Sequence, residues 1–151
     1  MATSRDDPYG NFNFLVDFGT GDQNTVRGGF QEVSGMNIEV TSAEYRAGNF
    51  AKNHSTKLNG PYKVADATFK RGLIGWPDLY QWMDAIRTGD RTALRTVHVM
   101  LLDEAHQGPV MTWTLLRARP LRYVVPALNA KTGTDVAIEE LVLSYEDLTV
   151  E

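Results

Sequence analysis

Between Gly35 and Leu73, two extended stretches flank a polar middle. Met36-Asn37-Ile38-Glu39-Val40-Thr41 alternates apolar and polar residues, and Tyr62 to Arg71 does so again. Alternation of that kind predicts two strands. From Tyr45 to Asn59 neither the strand period nor the helix period holds, which predicts a loop of about 15 residues, long for a compact domain. Phe50 is its one strongly apolar residue, while Tyr45, Arg46, Asn49, Lys52, Asn53 and His54 supply a dense set of hydrogen-bonding groups. Such a segment is either a solvated surface loop or an arm ordered only against another subunit.

Upstream, Phe12, Phe14, Val16 and Phe18 share one face of a period-two run, which predicts a strand. Gly19 to Asn24 is turn chemistry. Val26 to Val33 is the next expected strand, with Gly28-Gly29 suggesting a bulge or close backbone approach. The two strands read as a hairpin. Downstream, Leu79, Trp82, Met83 and Ile86 fall at helical spacing and predict one helix over about residues 76–88. Pro77 suits its first position, Asp78 suits the positive end of its dipole, and Gly89 suits its stop. A Trp and Met stripe at this spacing is core packing against a sheet. Further strands are expected at Arg95–Asp103, Val110–Arg119, Leu121–Leu128 (where Pro126 breaks the strand or confines it to an edge) and Asp135–Tyr145, with a turn at Asn129–Gly133. The sum is a mainly β fold of about seven or eight antiparallel strands with one packed helix, as a sandwich or barrel.

A chain of 151 residues is expected to be one domain, large enough to bury a core unaided. It has no cysteine, which removes disulfides, thiolate chemistry and cysteine-based zinc sites. A net charge of −4 from 15 basic and 19 acidic residues, well mixed, argues against a nucleic-acid surface. The N-terminus lacks the apolar segment of a secretory signal, and the apolar run Val99–Leu102 is too short to span a bilayer. Cytoplasmic synthesis and no stable membrane insertion are the expectations.

Candidate chemistry is sparse. Val97 to His106 ends in Asp103-Glu104-Ala105-His106 and resembles the Walker B box of a helicase, but no Gly-Lys pair exists to complete a phosphate cradle. The simpler reading is a strand running into a polar turn, Asp103 to Pro109, with Gly108-Pro109 supporting it. His98 and His106 stand eight residues apart and make a poor metal pair. Ser34 lacks the glycine context of a nucleophile elbow. Glu139 and Glu140 are strand neighbours pointing to opposite faces, so they cannot share a proton. No catalytic residue, metal or cofactor is assigned.

The final strand carries a different signal. Ala137, Glu139, Leu141, Leu143 and Tyr145 take one face, and Val136, Ile138, Glu140, Val142 and Ser144 take the other. A strand largely apolar on both faces is buried on both, and in so small a chain another subunit is a natural cover.

The order of short motifs resembles the tail-tube protein family of contractile-tail bacteriophages and related contractile injection systems. The matching pieces are Asp7-Pro8-Tyr9, Phe12 to Val16, Gly29 to Met36, Glu44 to Asn49, Lys57 to Gly60, Phe69 to Leu73, Leu102-Asp103-Glu104, Pro109-Val110, Trp113, Leu128 to Ala130 and Ile138 to Leu141. Together they run from about residue 6 to 149. The resemblance implies a barrel-like subunit with an outer helix, in hexameric rings stacked into a hollow tube inside a contractile sheath. It implies baseplate, spike-hub, tube-initiator, tape-measure and cap proteins as partners, and protein cargo or DNA passing through the lumen without sequence-specific binding. The assembled particle is a virion or injection device, extracellular or membrane-attached. The N-terminal arm, residues 1–10, and the loop, about residues 44–60, become the ring-to-ring contacts. By position, Asp7, Tyr9, Glu44, Tyr45, Arg46, Asn49 and Lys57 are the candidates.

Three rivals remain. One is a tube-initiator paralogue or a type VI secretion tube protein, which forms rings. Another is a monomeric barrel holding a small apolar ligand between Phe12, Phe14 and Trp113. The last is the NTPase.

Overall fold

The computed structural model describes residues 2, 4–19, 29–131 and 133–151. The turn expected at 19–24 and the start of the strand expected from Val26 lie outside them, apart from Gly19 and the residues from Gly29 on; so do Gly28 and Thr132.

Nine strands and one helix occur among the described residues: β1 (Phe14–Asp17), β2 (Glu32–Ser34), β3 (Ile38–Tyr45), β4 (Thr56–Val64), β5 (Ala67–Gly72), α1 (Asp78–Arg87), β6 (Arg95–Leu102), β7 (Pro109–Val124), β8 (Ile138–Ser144) and β9 (Asp147–Val150). Seven strands form one antiparallel sheet in the order β1-β6-β7-β8-β5-β2, with β9 also on β7, while β3 and β4 pair only with each other.

The expected opening hairpin does not form. β1 pairs with β6 and β2 with β5, so the two lie at opposite ends of the sheet path. Each buries its apolar side against the same core from its own edge, and adjacency in sequence decides nothing about pairing. The run from Tyr62 to Arg71 is also two strands, because the backbone leaves β4 at Ala65 and enters β5 at Ala67. Gly35 allows this crossing. Its φ is +87°, and a Cβ there would lie 2.6 Å from the Asp66 carbonyl oxygen.

By contrast, the two strands expected on either side of Pro120 are one strand of 16 residues. Its first part pairs with β6, with Trp113 to Leu116 also on β9, and its last part pairs with β8. Besides a register shift at its start, between Pro109 and Met111, two more bend it. One lies opposite Thr96, where Arg117 adopts φ +53°, and the other lies between Pro120 and Arg122. Bulges add twist and turn a strand, and the second one accommodates a proline that cannot donate to the ladder. The strand ends at Val124, before Pro126.

The curled sheet encloses Phe69, Val97, Leu115, Leu141 and Leu143. Phe18 sits among Phe30, Phe69 and Trp82, with ring centroids 5.2, 5.4 and 5.6 Å away and edge-on packing. α1 seals this cluster with Leu79 and Trp82, and the Trp82 indole donates to the Ala93 carbonyl at 2.7 Å. Pro77 takes the N-cap position, one place earlier than expected, and Gly89 ends the helix at φ +98°. β8 is fully buried on one face only: Glu139, Leu141 and Leu143 are buried there, while on the other face Val142 is buried and Ile138, Glu140 and Ser144 are half-buried.

Sequence pattern gives no reason to place an arginine in this core, yet Arg71 is 1% exposed. Its guanidinium donates to the Glu139 carboxylate at 2.6 and 2.9 Å and to Asp78 at 2.7 and 3.1 Å. The Tyr123 hydroxyl donates to the other Glu139 oxygen at 2.7 Å. Burial and this bond push the Tyr123 phenol up to about 12. Burial alone would raise the Asp78 carboxyl, but the hydrogen bonds and charge of Arg71 outweigh it and hold it below its ordinary value. The network ties β5, β7, β8 and the first turn of α1 together.

Removing one partner of such a pair strands a buried charge. Arg71→Met should therefore cost about 3–5 kcal/mol in urea denaturation. Adding Glu139→Leu to it should recover most of that loss.

Candidate assembly surface

β3 and β4 form a hairpin that the rest of the chain leaves bare. Every residue of β3 is exposed, and in β4 only Val64 is partly covered. The pairing register sets Val40 opposite Tyr62, Ala43 opposite Leu58, Glu44 opposite Lys57 and Tyr45 opposite Thr56. Opposed charges and aromatic–β-branched pairs of this kind are the usual cross-strand stabilisers. A bulge at Thr41 breaks the register, and the Thr41 hydroxyl donates to the Pro61 carbonyl at 2.7 Å. At the root, the Ala65 amide donates to the Asn37 carbonyl at 3.3 Å. Tyr62 also hydrogen-bonds Asp147 at the start of β9, which raises its phenol pKa.

The expected loop over 44–60 is thus shorter, and runs from residue 46 to 55. Glu44, Tyr45 and Lys57 belong to the strands, while Arg46 and Asn49 belong to the turn. Arg46 braces that turn by donating to the carbonyls of Lys52 at 3.2 Å and Phe50 at 3.5 Å. The strands continued unseen in the sequence because neither face is buried by this chain, so no alternation marks them. An isolated two-stranded ribbon is marginal in water. This one also exposes Ile38, Val40, Tyr45, Leu58 and Tyr62, each about half or more accessible. Contiguous apolar exposure of this sort marks an interaction site.

Asp7 and Tyr9 lie on a second surface, the N-terminal arm, organised by Arg5. The Arg5 guanidinium clasps Glu104 with two bonds of 2.7 and 2.9 Å. It also donates to the carbonyls of Asp7 at 2.7 Å and Pro8 at 2.8 Å, and lies 3.8 Å over the Tyr9 ring. The Gly10 amide adds a 3.3 Å bond to Glu104. The Arg5 hydrogen bonds, with backbone donors helping, bring the Glu104 carboxyl down to about 2. Arg5 and Glu104 were not legible as partners, since 99 positions separate them. Among the described residues, no hydrogen bond or ion pair joins arm and hairpin.

The remaining candidates have modest roles. Asp103 caps its own turn by accepting from the Gln107 amide at 2.8 Å, and His106 occupies the turn at φ +56°. His98 shares a 3.0 Å hydrogen bond with Thr114 on the neighbouring strand. Glu139 is held by Arg71, and Glu140 lies 3.8 Å from Arg122 across the sheet. A cleft of about 340 Å³ opens where β1 and β2 fail to meet, lined by Phe14, Val33, Met36 and Trp113. Phe12, expected to line such a cavity, lies outside it and is 69% exposed. No helix among the described residues is long and apolar enough to cross a membrane.

A curled sheet, an anchored arm and a bare hairpin are the surfaces the fold presents. The chain belongs to the T4-like virus tail tube protein gp19 family, whose profile matches residues 10–149. No curated protein matches the chain at a significant level. Among solved structures, it is similar to a chain of the anti-feeding prophage baseplate at 26% identity and TM-score 0.82, over 97% of each chain. A chain of the sheath–tube complex of an extracellular contractile injection system (PVC) in its extended state is similar at 25% identity and TM-score 0.82, over 95% of this chain and 91% of that one. A chain of the anti-feeding prophage tube-terminating cap shares the fold at 22% identity and TM-score 0.83, over 100% of this chain and 95% of that one. The protein is a tail tube protein of the contractile injection type.

The arm's anchorage has a signed pH dependence. A carboxyl depressed in the folded state contributes above its ordinary range and loses that contribution as pH falls through its lowered value. Protection of the Gly10 amide, taken relative to the exchange rate of an unfolded amide at each pH, should therefore persist from neutral pH down past the ordinary carboxylate range and fall as pH approaches about 2. Glu104→Gln should release the arm at neutral pH, read as faster proteolysis of residues 1–10.

Proposed function

We propose that this chain builds the inner tube of a contractile particle by forming hexameric rings that stack into a hollow conduit. Sheath contraction would drive that conduit through a target envelope with DNA or protein inside. The bare β3–β4 hairpin carries the reading. It is an element too weakly supported and too apolar to stand in water, on a chain whose family forms tail tubes. Sharing its strand edges with neighbours satisfies backbone groups and removes the aggregation hazard of open edges. The similar structures include a sheath–tube complex and a baseplate, which support a sheath outside and a baseplate below; a spike hub and initiator join the baseplate. Tape-measure and cap proteins complete the set. The subunit works by assembly and performs no catalytic step. Hairpin residues Glu44, Tyr45, Arg46, Asn49 and Lys57 and arm residues Asp7 and Tyr9 make the contacts between rings.

The similarity to a baseplate chain favours one second reading, an initiator that forms a single ring beneath the tube.

Negative-stain microscopy with light scattering decides between them. Stacked rings with a central hole are expected for the tube subunit, and single rings that never stack for the initiator. Tyr45→Ala with Arg46→Ala should leave rings intact and abolish long tubes. Normal tubes from that double variant would remove the hairpin from the ring-to-ring contact.

A further inference from the structure

β6 places two opposite charges at its two ends. Past its C-terminal end lies Glu104, with the arm fixed to it. Before its N-terminal end, roughly 25 Å away at strand rise, lies a cleft of about 470 Å³ between the end of α1 and the first bulge of β7. Arg91, Arg117 and Arg119 line it above Ile86 and Leu94. Arg117 is spoken for, with Glu146 at 2.5 Å. The cleft's own carboxylate, Asp90, accepts from the Thr92 amide at 2.9 Å and its hydroxyl at 2.6 Å. Among the described residues, Arg91 and Arg119 have no ion-pair partner, on a chain whose net charge is −4. The arm presents the complement. Asp6 and Asp7 are exposed, their carboxylates have no described ion-pair partner, and the Arg5 clasp takes only the Asp7 carbonyl.

We infer that the Arg91–Arg119 cleft is the receptor for the Asp6–Asp7 arm of a second copy, forming a head-to-tail contact along the direction of β6. Such a contact uses different surfaces on the two partners and repeats without closing, which generates a linear stack. The guanidinium forks suit carboxylates bidentately, and the half-buried Ile86 and Leu94 offer an apolar floor to the neighbouring Pro8. Anchorage by Arg5 keeps the arm ordered before it docks, which lowers the entropy lost on binding. The inference rests on the stacked-tube reading and supplies the receiving half of the arm's contact.

Charge reversal tests it in the full chain. Asp6→Arg with Asp7→Arg, and separately Arg91→Asp with Arg119→Asp, should each raise the lowest concentration for tube growth roughly tenfold. All four changes in one chain should restore growth. All four positions are exposed, so each variant should melt like the parent. A second measurement stands apart from charge. The chain has no cysteine, so Asp7→Cys with Arg119→Cys in one chain should give a ladder of covalent multimers on oxidation of assembled tubes, and each single variant should not. Wild-type tubes with no ladder and unaltered growth of both reversal variants would overturn the inference and leave the tube reading standing. A wild-type chain that forms no tubes, alone or on a baseplate, would overturn both.

Discussion

Strand β7 pairs with β6 and β9 over its first part and with β8 over its second, and the register shifts near Arg117 and Leu121 turn it from one group to the other. A straight strand of 16 residues would give a flat sheet with nothing to cover its apolar face. The bent strand folds that sheet onto itself, so Val16, Val97 and Leu115 from one half of the path and Phe69, Leu141 and Leu143 from the other share one core. The same bend leaves the sheet open, because β1 and β2 approach from opposite ends and do not pair. It also sets Arg117 and Arg119 beside the end of the helix.

Closure of the core then depends on one polar network. Phe18, Phe30, Phe69 and Trp82 supply the apolar burial that orders this region, but dispersion and burial tolerate many orientations. The Arg71 fork tolerates few, since it must meet Glu139 from β8 and Asp78 from α1 together. A buried ion pair adds little net stability compared with apolar residues of the same shape. Its geometry fixes where the first turn of the helix sits against β5 and β8.

What the core does not use is as informative as what it buries. The hairpin spends 17 residues on strands this chain does not cover, and the arm is fixed by one arginine to a turn far along the sequence. Both are costly for a chain that stands alone.

By itself the sequence pointed to the class and most of the elements: alternation at Phe12–Phe18, a strand at Arg95–Asp103, a strand apolar on both faces at Asp135–Tyr145, the helical stripe of Leu79, Trp82, Met83 and Ile86, and a stop at Gly89. Those patterns are local, and each is imposed by which face a residue must hide. The ordered motifs from Asp7 to Leu141 further pointed to the tail-tube family, and with it to the arm and the hairpin as contact surfaces. Only the tertiary structure decided the rest. It made one strand of the two expected around Pro120, because a bulge absorbs the missing amide. It made two strands of Tyr62–Arg71, and it separated β1 from β2. It also carried the hairpin strands beyond their legible ends, since an uncovered strand needs no apolar rhythm. Arg5 with Glu104 and Arg71 with Glu139 join residues remote in sequence. Pairings of that kind follow from where the chain is brought in space, and no local pattern encodes them.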